Sequence, residues 1–89
     1  MITAVVFVHA DVSSIPDVAE AIAEIPGVTE VYSVTGSIDL IALVRVKQVD
    51  DVATVVADKL NKVPGVIDTE THIAFRTFSR HDLEAAFSL

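Results

Sequence analysis

Ile25-Pro26-Gly27-Val28 returns in this chain as Val63-Pro64-Gly65-Val66, an offset of 65 − 27 = 38 residues. The same offset superposes Ala4 on Ala42, Val6 on Val44, Val8 on Val46 and Ala19 on Ala57 without a gap. Two copies are too few to stack into a solenoid, whose units stabilise one another only in longer arrays. In 89 residues they must build one pseudo-symmetric domain, 1–89.

Each copy reads strand, helix, strand. Residues 2–8 and 40–46 are Val-, Ile- and Leu-rich at strand length. Ser14 is the expected N-cap of the first helix, with Pro16 in its first turn. Ile15, Val18, Ala19 and Ile22 recur there at helical spacing, and Pro26-Gly27 ends the helix. Val49, Val52, Ala53, Val56, Leu60 and Val63 form the second apolar stripe. Asp50 and Asp51 open that helix and Lys59 and Lys62 stand near its end, as its dipole favours. Strands over 28–34 and 66–75 complete the two copies. The order βαββαβ predicts an α+β, ferredoxin-like domain, a four-stranded antiparallel sheet with two helices on one face.

Alternation along the strands assigns the faces. Ile2, Ala4, Val6, Val8, Leu40, Ala42, Val44 and Val46 are expected under the helices; Thr3, Val5, Phe7, Ile41, Leu43 and Arg45 are expected on the other side. The second face is also largely apolar. A chain this short buries only about 60% of its unfolded surface, yet 52% of its residues are hydrophobic and its mean hydropathy is +0.57. The uncovered face is therefore expected to pack on a second copy, sheet to sheet, as a dimeric α/β barrel. Residues 78–89 read as a C-terminal tail or short helix, with 80–89 amphipathic or an exchange arm.

Six Lys and Arg against 13 Asp and Glu leave a net charge of −7. That balance argues against direct binding to nucleic acid or to an anionic membrane surface. No cysteine is present, which excludes disulfides, thiolate metal sites and a cysteine nucleophile. The N-terminal apolar run has no basic flank and no cleavage site, so a cytoplasmic location is expected.

His9, His72 and His81 have no metal-ligand spacing, and no metal or cofactor is expected. Glu70 and His72 share one face of the last strand and read as a surface or interface pair. Ser79, His81 and Asp82 offer triad residue types, but crowded into one segment they read as a cap and first helical turn.

The stretch VYSVTGSIDLIALVRVK joins two β-branched runs through a loop longer than a tight hairpin needs. Gly36 can adopt positive φ and expose N–H groups, and Asp39 offers a carboxylate at the foot of the next strand. Together they complement a zwitterion. The alternative is a plain turn in which Asp39 satisfies main-chain amides, and residue chemistry alone leans slightly that way.

That stretch, the Pro-Gly-Val before an extended strand and the closing TETHIAF resemble the effector-binding module of the Lrp/AsnC regulators, the RAM domain, over roughly residues 2–77. The resemblance implies sheet-paired dimers that assemble into rings, commonly octamers, and that bind amino acids in clefts between dimers. Thr35, Gly36, Ser37 and Asp39 match its effector loop, and Thr69 and Thr71 match its last-strand positions near the cleft. Ser37 stands where the family is often acidic or bulkier, and Ile38 where it is often aromatic. The regulators carry an N-terminal helix-turn-helix, whereas this chain starts almost directly in its first strand, so a stand-alone module is expected, one able to associate with full-length relatives. Its expected role is non-enzymatic amino acid sensing and oligomerisation. The alternatives are a dimeric α/β-barrel enzyme of monooxygenase or isomerase type, using His9 or His72, and a purely structural assembly domain.

Overall fold

A computed structural model describes residues 1–78 and Arg80. The expected tail, with Ser79, His81 and Asp82, lies outside the described residues except for Phe78 and Arg80. The strands are β1 (Ile2–Ala10), β2 (Val28–Ser33), β3 (Leu40–Val46) and β4 (Val66–Ile73). They form one antiparallel sheet in the order β2-β3-β1-β4, which makes β2 and β4 its edges. Helix α1 (Ile15–Ala23) follows β1, and α2 begins as an α-helix over Val49–Ala53. It then widens into π-helical hydrogen bonding over Thr54–Lys59 and closes with a 3-10 turn, Leu60–Lys62.

The faces are as the alternation predicts. Ala4, Val6, Val8, Leu40, Ala42 and Val44 are fully buried and pack with Val18 and Ile22 of α1 and with Val52, Val55, Val56 and Leu60 of the second helical segment. Each buried Val, Leu or Ile among them contributes about 1.5–3 kcal/mol by leaving water. Val5, Phe7, Ile41 and Leu43 lie on the side without helices and are only half-buried.

The pseudo-symmetry extends to hydrogen bonds. Ile25 N–H donates to the Ile22 carbonyl and Val28 N–H to that of Ile25; 38 positions on, Val63 N–H donates to Leu60 and Val66 N–H to Val63. Each copy then carries a β-bulge at its equivalent residue, Thr29 in β2 and Ile67 in β4. The bulge in β4 has a large effect on which side chains go where. One extra residue reverses the facing of everything beyond it. Val8 therefore pairs with Thr69 and Val6 with Thr71, on the helix side, while Asp68, Glu70 and His72 stand opposite His9, Phe7 and Val5 on the open side. Without the bulge those three polar residues would point under the helices.

Two local expectations are corrected. Ser14 occupies the N-cap position of α1 but its side chain makes no capping bond. A 3-10 turn over Val12–Ser14 precedes the helix, and Asp11 caps that turn by accepting from Ser13 N–H at 3.1 Å and Ser13 Oγ at 2.9 Å. The last strand stops at Ile73 rather than at residue 75, although Ala74 N–H still donates to the Thr3 carbonyl at 2.8 Å.

Candidate functional site

The loop over 34–39 does not stay beside β2 and β3. Asp39 N–H donates to the Val8 carbonyl at 3.0 Å, and Ala10 N–H donates to Asp39 Oδ2 at 2.8 Å. Val34 N–H closes the loop on the Asp39 carbonyl at 3.1 Å. The half-buried Asp39 thus ties the loop to the C-terminal end of β1 where its pairing with β3 has run out, satisfying a main-chain donor that would otherwise be left unpaired. Gly36 sits at φ 109°, a region that disfavours any side chain, and a Cβ there would meet nothing within 4 Å. Conformation, not crowding, requires this glycine, and the space beside it is open.

Tied down in this way, the loop forms one wall of a cleft of about 390 Å³. Ser37 and Ile38 come from the loop, Phe7 and His9 from β1, and Asp68, Thr69 and Glu70 from β4. Phe7 and Ile38 are its apolar portion; two carboxylates, an imidazole and the Ser37 hydroxyl surround them, and Thr69 adds to the lining with its hydroxyl turned to Asn61. Glu70 Oε2 lies 2.6 Å from His72 Nε2, and the His72 ring is tilted at 55° against Phe7 with centroids 5.1 Å apart. Farther along the open face the Tyr32 hydroxyl donates to Glu30, and that hydrogen bond holds the phenol above its usual value. With no Lys or Arg among its lining residues, the cleft favours a ligand that presents an ammonium group to its carboxylates. Among the described residues no group of three or more His, Asp or Glu is arranged to hold a metal ion. No helix among them is long and apolar enough to cross a membrane.

The residues singled out from sequence are distributed as follows. Ser37 and Thr69 meet at the cleft. Thr35 and Gly36 are exposed on the loop, and Asp39 supports it from below. Thr69 also donates to Asn61 Oδ1 at 2.7 Å. Thr71 lies away from the cleft, in a separate groove beside α2. Sequence reasoning passed over Phe7, Asp68 and Glu70 as cleft residues. Alternation would have grouped Asp68 with Glu70 and His72, but only knowledge of the bulge at Ile67 assigns their side of the sheet.

Comparison with known proteins places this architecture. A crystal structure of TTHA0845 from Thermus thermophilus is 48% identical with a TM-score of 0.85, covering 90% of this chain and all of that one. The uncharacterized HTH-type transcriptional regulator PH1916 of Pyrococcus horikoshii is 44% identical over 61 residues, 68% of this chain and 41% of the relative. This chain thus spans about two-fifths to one half of the length of the curated regulators it matches in Pyrococcus. The transcriptional regulator NMB0573 of Neisseria meningitidis, solved as a complex with L-Met, shares the fold at 18% identity and a TM-score of 0.79, covering 89% of this chain and 53% of that one. The sequence profile of the Lrp/AsnC ligand binding domain matches residues 3–83, and the chain belongs to that family.

Proposed function

We propose that this domain is a non-enzymatic sensing and assembly module that binds a free amino acid at the cleft between the 35–39 loop and β4 and thereby modulates Lrp/AsnC-type transcription regulators in the cytoplasm. The observation that carries the proposal is the loop anchored by Asp39 to β1, which stands Ser37 and Ile38 over a half-apolar, carboxylate-bearing cleft. Main-chain N–H groups around Gly36 receive the ligand carboxylate, and Asp39 Oδ1, at the foot of the loop, receives its ammonium beside the cleft carboxylates Asp68 and Glu70, while Oδ2 keeps its bond to Ala10. Thr35 and Ser37 supply hydroxyls, and Thr69 lines the cleft while its own hydroxyl donates to Asn61. Thr71 joins the site only where a second copy brings it there. The L-Met complex of the Neisseria regulator, on the same fold, supports an amino acid as the ligand class.

Two copies pack through their open faces, covering Val5, Ile41, Leu43 and the part of Phe7 turned away from the cleft, and such dimers assemble into a closed ring. With a net charge of −7, the 89-residue chain does not hold DNA by itself and acts through partner regulators. A thermal-shift screen of the amino acids tests the sensing role. A ligand at a hundred times its dissociation constant adds about 2.7 kcal/mol of stability. A flat response across all of them would leave an assembly domain without an effector.

A further inference from the structure

On the helix side of the sheet, Val49, Val52, Ala53 and Val56 face Thr71 and Ile73 of edge strand β4 across an almost wholly apolar groove of about 320 Å³. After Ala74, whose N–H still donates to the Thr3 carbonyl, the chain leaves the sheet. Residues 75–78 run outward with Phe75 fully exposed at 101% and Phe78 at 78%. Two phenylalanines standing in water beside an apolar groove are mutually unsatisfied surfaces of one molecule. We propose that this arm lies in the groove of a second copy, reciprocally, with Phe75 inserted between α2 and β4 and Arg76 meeting Asp50.

Charge and continuity select a second copy of this chain as the occupant. The arm carries Arg76 and no acidic residue, whereas the groove is lined by Asp50, with Asp51 beside it at the acidic start of α2. Among the described residues neither Arg76 nor Asp50 has an ion-pair partner. Ile73 belongs to both features, forming the groove wall and the root of the arm. A twofold axis at this end of the molecule therefore sets Phe75 and Arg76, two and three residues beyond Ile73 and so within about 7 and 10 Å of it when extended, against the other copy's groove. The arm does not turn back onto its own groove: Ala74 is still bonded to Thr3 in the ladder, and Phe75 stands clear of its own chain. The exchange also covers the outer side of β4, whose eight residues would otherwise be an open edge. It uses the side of the sheet opposite to the open face and does not depend on the proposed effector.

The chain has no cysteine, so Asp50→Cys/Arg76→Cys introduces two thiols and no others. Both positions are exposed, and circular dichroism checks that the fold is retained. Disulfide formation requires Cα atoms within about 7 Å, so oxidation reports the contact directly. The expected product without reductant is a covalent dimer, formed also when Asp50→Cys and Arg76→Cys chains are mixed. Adding Phe75→Ala should reduce its yield about tenfold or more, by loss of the buried ring. An internally closed monomer with both thiols consumed would put each arm in its own groove, and thiols that remain free would mean that the arm does not dock; either overturns the exchange. Independently, Asp50→Arg and Arg76→Asp should each weaken self-association in light scattering, and the double exchange should restore it.

Discussion

The carboxylate of Asp39 accepts the main-chain N–H of Ala10 at 2.8 Å, joining residues 29 apart in sequence. This bond fixes the 34–39 loop to the end of β1. Asp39→Ala would leave the Ala10 donor without its partner, at a cost of about 1–3 kcal/mol in urea unfolding. Asp39→Asn keeps an acceptor oxygen and should lose much less.

Gly36 and Gly65 both have positive φ, at 109° and 98°, but their surroundings differ. A Cβ on Gly36 enters open space, whereas one on Gly65 would lie 2.6 Å from Val18 Cγ2 and 3.2 Å from Ser14 Cβ. Gly36→Ala should therefore show only backbone strain, about 1–3 kcal/mol. Gly65→Ala adds displacement of a fully packed core valine and should be the more destabilising of the two by thermal denaturation.

The single tyrosine and the absence of tryptophan make Tyr32 directly readable by ultraviolet titration. Its hydroxyl donates to Glu30, so the midpoint should lie above the ordinary value of 10.0. Ionisation would remove the donated proton and place two negative charges together. Glu30→Gln should move the midpoint down toward the ordinary value.

Leu43 lies half-buried on the open face of central strand β3, paired with Val5 of β1 and flanked by Glu30 of β2. Leu43→Lys should weaken sheet-to-sheet association about a hundredfold or more, because a desolvated, unpartnered ammonium costs several kcal/mol. Light scattering against concentration measures this, and a variant that associates like the wild type would place the interface elsewhere.

Most of the fold is legible because its signals are periodic. Ala4, Val6 and Val8 alternate with Val5 and Phe7, and the Pro-Gly-Val repeat marks where each helix must end. The second helix is legible in its apolar stripe but not in its hydrogen bonding. Val52, Val56 and Leu60 recur every four residues and are buried, a spacing that ordinary α-helical turns also satisfy, so the apolar stripe does not distinguish the wide turns over Thr54–Lys59. Val49, counted in that stripe, is 54% exposed at the first position of the helix. The loop is legible as a departure from a tight hairpin, and Asp39 as a carboxylate aimed at main-chain amides. The rest of the cleft is hidden, because one bulged residue, Ile67, decides whether Asp68 and Glu70 or Thr69 and Thr71 face the open side. No local residue preference announces that bulge; it follows from pairing β4 with β1.

Amino acid recognition through the anchored loop is tested most directly by calorimetric titration. The amino acid with the largest thermal shift is titrated into wild type and Asp39→Asn, with unfolding measured in parallel. Loss of one charge-assisted hydrogen bond worth about 1.5–3 kcal/mol should weaken binding about 10- to 150-fold while stability stays near that of the wild type. Equal affinities for the two proteins, or no heat of binding with any amino acid, would contradict it.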